Sequence, residues 1–211
     1  MDLRNKKIAF LGDSITEGVG ATDFHGYVDY ISELSGADCT NFGISGTRIA
    51  RQKKPTVDSP SFDYDFCSRA EKITDYFDII VIFGGTNDFG HGDADFGNFS
   101  DRTPDTFYGA LHTLYKTVTK MHPDSQIVVV TPICRTDDDV ISAVKGRNLE
   151  SYISAIKEVA KFYKLPVLDL FKNGQHKAII DASLLADGLH PNDKGHKIIA
   201  EYIIDFLVKN L

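Results

Sequence analysis

Apolar residues along this chain follow two periods. Short runs of strand length occur at Ile8–Leu11, more weakly at Asp38–Asn41, then at Asp78–Phe83, Gln126–Val130 and Leu165–Leu170. The third contains Ile-Ile-Val-Ile-Phe, apolar at every residue, as a strand covered on both faces must be. Between the runs, apolar residues recur at spacings of three and four. One stripe is Phe107, Leu111, Leu114, Tyr115, Val118 and Met121; a second is Leu149, Tyr152, Ile153, Ile156, Val159, Ala160 and Tyr163. Ile198, Ile199, Tyr202, Ile203, Phe206 and Leu207 form a third, and Tyr27–Leu34 reads as a shorter helix. Such spacings put each set on one helical face, where core packing explains them. Strands alternating with helices predict an α/β protein: a three-layer α/β/α sandwich around a central parallel sheet of about five strands. With no internal repeat, low-complexity tract or linker, residues 1–211 read as one domain.

Composition narrows the class. Of 211 residues 42% are hydrophobic, enough for burial to offset chain entropy. Thirty acidic residues against 23 basic ones give a formal charge of -7, which repels phosphate backbones. The longest basic cluster, Arg51-Gln52-Lys53-Lys54, reads as a solvated loop face, so no nucleic-acid partner is expected. Ile8–Leu11 is too short for the apolar core of a signal peptide, and no apolar segment approaches the roughly 18 residues of a membrane span. The default expectation is a soluble cytoplasmic protein. Cys39, Cys67 and Cys134 are odd in number and widely spaced, which suits a reducing compartment better than a disulfide framework or a zinc site. The pattern fixes no oligomeric state.

In parallel sheets functional groups gather at the carboxyl ends of the strands. Three long segments rich in Gly, Asp and Ser, Arg48–Asp65, Phe89–Asp101 and Ile133–Arg147, are placed to rim one crevice there. Four short sequences stand at or near strand ends: Gly12-Asp13-Ser14-Ile15-Thr16, Asn41-Phe42-Gly43-Ile44-Ser45-Gly46, Gly84-Gly85-Thr86-Asn87-Asp88 and Asp187-Gly188-Leu189-His190-Pro191. Ser14 alone could be an N-cap. As a nucleophile it needs an adjacent base, and residues 187–190 supply an imidazole with a carboxylate three residues away, close enough to orient it. A developing oxyanion also needs donors, and an open glycine N–H or an amide side chain suits that task. Gly43 and Asn87 each also have a reading as a turn residue, Gly43 through φ > 0 and Asn87 by closing the Gly84-Gly85 bend.

Taken in order and spacing, the four sequences resemble the four blocks of the SGNH (GDSL-type) hydrolase family, from residue 12 to residue 191. The resemblance implies a flavodoxin-like SGNH hydrolase fold and serine-dependent hydrolysis of carboxylic esters through an acyl-enzyme. It assigns Ser14, Asp187 and His190 as the catalytic triad. It assigns the N–H of Ser14, the N–H of Gly43 and the side chain of Asn87 as the oxyanion hole. A triad needs no cation, and neither a cofactor nor a metal is expected.

Other polar residues read as structural. Asp13 and Asp88 are expected to brace loops, and Asp137-Asp138-Asp139 to form a solvated acidic loop. His25, His112, His122 and His176 lack metal-ligand spacing, and His196 is expected to pack or cap. His91 stands where it either touches substrate or rims the pocket. Three rival readings have less support. Gly18-Val19-Gly20 lacks the third glycine of a dinucleotide loop, and no P-loop sequence is present. An α/β-hydrolase needs G-x-S-x-G around its serine, and Ser14 has a different setting. A non-catalytic carbohydrate- or lipid-binding module on the same fold would have no need of every triad and oxyanion position. The polar rim loops favour a small or polar acyl ester, such as an acetyl ester, as the small-molecule substrate. Lipase, lysophospholipase and thioesterase are the alternatives within the family.

Overall fold

A computed structural model describes residues 1–140, 146–171 and 180–211. Five parallel strands form its centre: β1 (Lys7–Gly12), β2 (Asp38–Gly43), β3 (Ile79–Phe83), β4 (Gln126–Val130) and β5 (Val167–Leu168). Their order across the sheet is β2-β1-β3-β4-β5. All-parallel pairing with both faces covered explains the uniform apolarity of β1, β3 and β4. Ala9, Leu11, Ile80, Ile82, Ile127 and Val129 face one side. Ile8, Phe10, Ile79, Val81, Phe83, Val128 and Val130 face the other.

Among the described residues the α-helices are α1 (Ser14–Glu17), α2 (Tyr27–Ser35), α3 (Phe66–Ala70), α4 (Thr86–Gly90), α5 (Phe107–Met121), α6 (Leu149–Phe162) and α7 (Asp193–Asn210). Helices α3, α5 and α6 pack on the first face and α2 and α7 on the second, completing the three-layer α/β/α sandwich. Side-chain caps set the helix starts. Thr106 accepts from the Gly109 N–H, Asn148 from Ser151 and Asn192 from Gly195.

Three expectations need adjusting. The fifth strand pairs over two residues only, not six. Past it, Asp169 turns its carboxylate to the Thr131 hydroxyl and to Lys157, so the apolar pattern outlasts the ladder. The buried stripe of α7 is Gly195, His196, Ile199, Ala200, Ile203 and Leu207, with Tyr202 facing solvent. Helix α3 follows directly on the first rim segment, where no element was expected. Asp65 caps it, and Phe66, Ala70 and Ile73 point inward. His176 and residues 141–145 of the third rim segment lie outside the described residues.

The register aligns Gly12, Gly43, Phe83 and Val130 in one row at the carboxyl edge of the sheet. The four short sequences meet above this edge.

Candidate active site

Ser14 is the first residue of α1, immediately after the turn that ends β1. Asp13 makes that turn, its carboxylate accepting from the Ile15 N–H at 3.1 Å. Ser14 is only 5% exposed. Its Oγ lies 2.9 Å from His190 Nε2, and His190 Nδ1 lies 2.7 Å from Asp187 Oδ2. The other oxygen of Asp187 accepts from the backbone N–H groups of Leu189 (3.0 Å) and His190 (2.8 Å), closing the turn that presents the imidazole. Partial burial would raise the Asp187 carboxyl. The N–H and imidazole of His190 and the Leu189 N–H outweigh it and hold the group at about 2. An ionised carboxylate only accepts, so Nδ1 carries the proton and the lone pair of Nε2 faces the serine hydroxyl.

The turn carrying His190 is pinned at both ends. The Ala186 N–H donates to the His190 carbonyl at 2.8 Å, and Leu185 bridges Pro191. From the loop after β4, the Thr136 N–H donates to the Gly188 carbonyl at 2.9 Å. Gly188 has φ +87, and a Cβ there would meet the Thr136 hydroxyl at 2.7 Å, so only glycine suits the position.

Asp13 braces its loop as expected, but from full burial. Burial pushes its carboxyl up to about 6, against the pull of the Ile15 N–H and the Arg69 guanidinium. Between the unfolded value, 3.8, and about 6 the folded state binds the extra proton. The contribution of Asp13 to stability therefore falls as pH rises through that window. Asp13→Asn keeps an oxygen for the Ile15 N–H and removes the charge. Thermal melts of both proteins are expected to coincide near about pH 4 and to favour the variant at about pH 8. A variant less stable at the higher pH would show that attraction to Arg69 outweighs the burial cost.

The residues expected to form an oxyanion hole differ in how their donors are engaged. Asn87 lies in α4, 4% exposed, and its side-chain amide donates to the Thr47 carbonyl at 3.0 Å. An amide nitrogen carries two hydrogens, so one remains to donate. Gly85 enters α4 at φ +111, which supplies the sharp turn after β3. Gly43 requires correction. Its N–H already donates to Asn41 Oδ1 at 2.8 Å, in an Asx-turn that ends β2. Its φ is not positive either. Glycine is needed there because a Cβ would lie 2.2 Å from the Glu17 backbone nitrogen. Three residues on, Gly46 is buried with φ +73, and its N–H meets no acceptor among the described residues. The next carbonyl, that of Thr47, is the one that anchors Asn87.

Arg69, unremarked in the sequence, stitches this region together. Its guanidinium, buried and lowered by that burial to about 10, donates to the carbonyls of Tyr64, Phe42 and Gly12 and to the Thr47 hydroxyl. Asp88 braces as expected, accepting from Ile49 and Ala50 N–H groups, both at 2.9 Å. On the rim, the buried Arg48 donates to Asp63 and Thr56 and reaches His91 Nδ1 at 3.2 Å. His91 is exposed, with its ring 5.5 Å from that of Phe62. Asp137 and Asp138 are taken up by Arg135. The imidazole of His122 is 2.9 Å from the Ile73 carbonyl, and His25 pairs with Glu33. No disulfide links the three cysteines. Among the described residues no three His, Cys, Asp or Glu side chains are grouped to hold a metal ion, and no helix is long and apolar enough to cross a membrane.

An acetylxylan esterase of Xylanibacter ruminicola is 27% identical over 93% of this chain. The chain spans 42% of that relative's length. The crystal structure of a protein from Lactobacillus plantarum superposes with a TM-score of 0.82 at 28% identity, covering 99% of each chain. Residues 10–198 match the GDSL-like lipase/acylhydrolase family, and the chain belongs to it.

Proposed function

We propose that this protein is a serine ester hydrolase with Ser14 as nucleophile, His190 as general base and acid, and Asp187 as the group that orients His190. The hydrogen-bonded series Ser14–His190–Asp187, at 2.9 and 2.7 Å, carries this reading. The Ser14 hydroxyl attacks the ester carbonyl while its proton passes to His190 Nε2. The imidazolium, stabilised by Asp187, returns that proton to the departing alcohol. Water then attacks the acyl-serine as His190 takes its proton, the bond to Ser14 Oγ breaks, and His190 returns the proton to Oγ as the acid leaves. The negative charge formed in each step falls to the Ser14 N–H, the free hydrogen of the Asn87 amide and the Gly46 N–H, which replaces Gly43 in this role.

Asn87→Ala removes one of these donors. Such a loss lowers kcat by about 10²–10³-fold with little change in KM, because the ground-state carbonyl gains less from the donor. Melting temperature is measured on the same preparation, since Asn87 also anchors Thr47. A folded variant with parental kcat would remove Asn87 from the catalytic set.

For the substrate we infer a short acyl group, acetyl foremost. The name of the Xylanibacter relative and the polar character of the expected rim segments, which carry Arg48, Asp63 and His91, support this. A long acyl chain gains about 0.8 kcal/mol per methylene only where an apolar groove receives it. Catalytic efficiency on p-nitrophenyl esters is therefore expected to fall from acetate and butyrate toward decanoate. A steady rise along that series would point instead to a lipase or thioesterase.

A further inference from the structure

His190 is gripped by Asp187 on one edge, and on another side it rests against backbone. Gly20 has φ +95, and a Cβ placed there would lie 2.9 Å from His190 Cβ and 2.3 Å from the Pro191 carbonyl oxygen. The main chain of Gly20 thus packs against the Cβ of His190 and the Pro191 carbonyl, where the imidazole is attached to the turn. The same turn holds the nucleophile, because the N–H groups of Gly18 and Val19 both donate to the Ser14 carbonyl, at 3.1 and 3.0 Å. Residues 18–20 therefore bridge the two partners of the Ser14–His190 pair.

This turn has little regular structure to hold it. It leads into a single 3-10 turn, Thr22–Phe24, with φ +53 at Asp23 and +57 at Phe24. Its anchors come from α7. Asp193 takes the N–H and hydroxyl of Thr22 at 2.7 and 2.9 Å, at the surface. His196 acts from inside, at 0% exposure. Its Nδ1 is 3.2 Å from the Tyr27 backbone nitrogen and its Nε2 is 3.1 Å from the Val19 carbonyl. An N–H can only donate and a carbonyl can only accept. One neutral tautomer, protonated at Nε2, satisfies both.

We propose that His196 is a positioning residue for the proposed triad. By tying Val19 to the start of α2, it keeps the Gly20 backbone against His190 and so keeps His190 Nε2 on the Ser14 hydroxyl. This rests on the hydrolase reading above and adds to it a residue that touches neither substrate nor nucleophile.

The test compares His196→Gln, which offers an acceptor and a donor on one side chain, with His196→Leu, which fills space and offers neither. Displacing a reacting group by about 1 Å costs up to about 10²-fold. The Leu variant is expected to lose about 10- to 100-fold in kcat and in the rate of Ser14 modification by a fluorophosphonate, with KM unchanged, while Gln stays within about three-fold of the parent. Should the Leu variant not fold, Asn, one methylene too short to span both partners, takes its place with the same expectation. Nitrogen-15 spectra of the His190 imidazole give a second readout, independent of turnover. The Nδ1–H signal is expected to persist in the parent and the Gln variant and to broaden in the Leu or Asn variant. Parental rates and an unchanged signal in a folded Leu or Asn variant would overturn the proposal, as would equal losses in Gln and Leu. A parent protein that forms no adduct at Ser14 would contradict the hydrolase reading, and the His190 signal would still decide the role of His196.

Discussion

Replacing Ser14 or His190 with alanine is expected to lower kcat on an acetyl ester by about 10⁶-fold, and replacing both is expected to cost no more than either alone. In the proposed mechanism both groups serve one proton transfer. The Ser14 hydroxyl, 5% exposed and 2.9 Å from His190 Nε2, is hydrogen-bonded to no other base among the described residues. The imidazole in turn has nothing to deprotonate when Ser14 is gone. What survives is the oxyanion site and substrate binding, the same in all three variants, worth roughly 10³–10⁴ over water. Rates that fall additively, so that the double variant is far worse than either single one, would show that Ser14 and His190 act in separate steps. Neither side chain fills a core cavity, so melting temperatures of the three variants should lie close to the parent's.

Asp187→Asn is the second large effect, and the more discriminating one. The asparagine oxygen can still accept from the Leu189 and His190 N–H groups, so the turn is kept. Its amide nitrogen then faces His190 Nδ1 as a donor. That favours the tautomer with the proton on Nε2, which cannot receive the serine proton. In a sealed triad this substitution costs about 10⁴-fold. Asp187 is 55% exposed, so water can compete for Nδ1–H and restore part of the productive tautomer. The expected loss in kcat is therefore nearer about 10³-fold. Asp187→Ala loses the turn but admits water as an acceptor, and should be no worse than Asn. Parental activity in the Asn variant would mean that Asp187 only shapes the 187–190 turn.

Much of this architecture was legible in the sequence because it is local or repetitive. β1, β3 and β4 announce themselves as apolar runs because both faces of each strand are covered. Asp187 and His190 are three residues apart on one turn, so their pairing follows from chain geometry. Features set by long-range contacts were not legible. Nothing near Asn41 in sequence tells which glycine of Asn41–Gly46 keeps a free N–H, since that depends on the Asn41 side chain folding back onto Gly43. Arg69 looks like any surface arginine of a short helix. Its role comes from the approach of Gly12, Phe42 and Thr47, all more than twenty residues away. Helix α3 did carry a signal, Asp65 as cap followed by Phe66, Ala70 and Ile73, but one turn of periodicity is too short to stand out. His196 read correctly as packed, while its tie to Val19, 177 residues away, appears only in the fold.

The central claim is that Ser14 forms a covalent bond to the acyl group, and intact-mass analysis after reaction with a fluorophosphonate tests it most directly. One adduct per chain is expected, located on Ser14 by peptide mapping and absent from Ser14→Ala. No adduct, or an adduct on another residue that persists in Ser14→Ala, would contradict it.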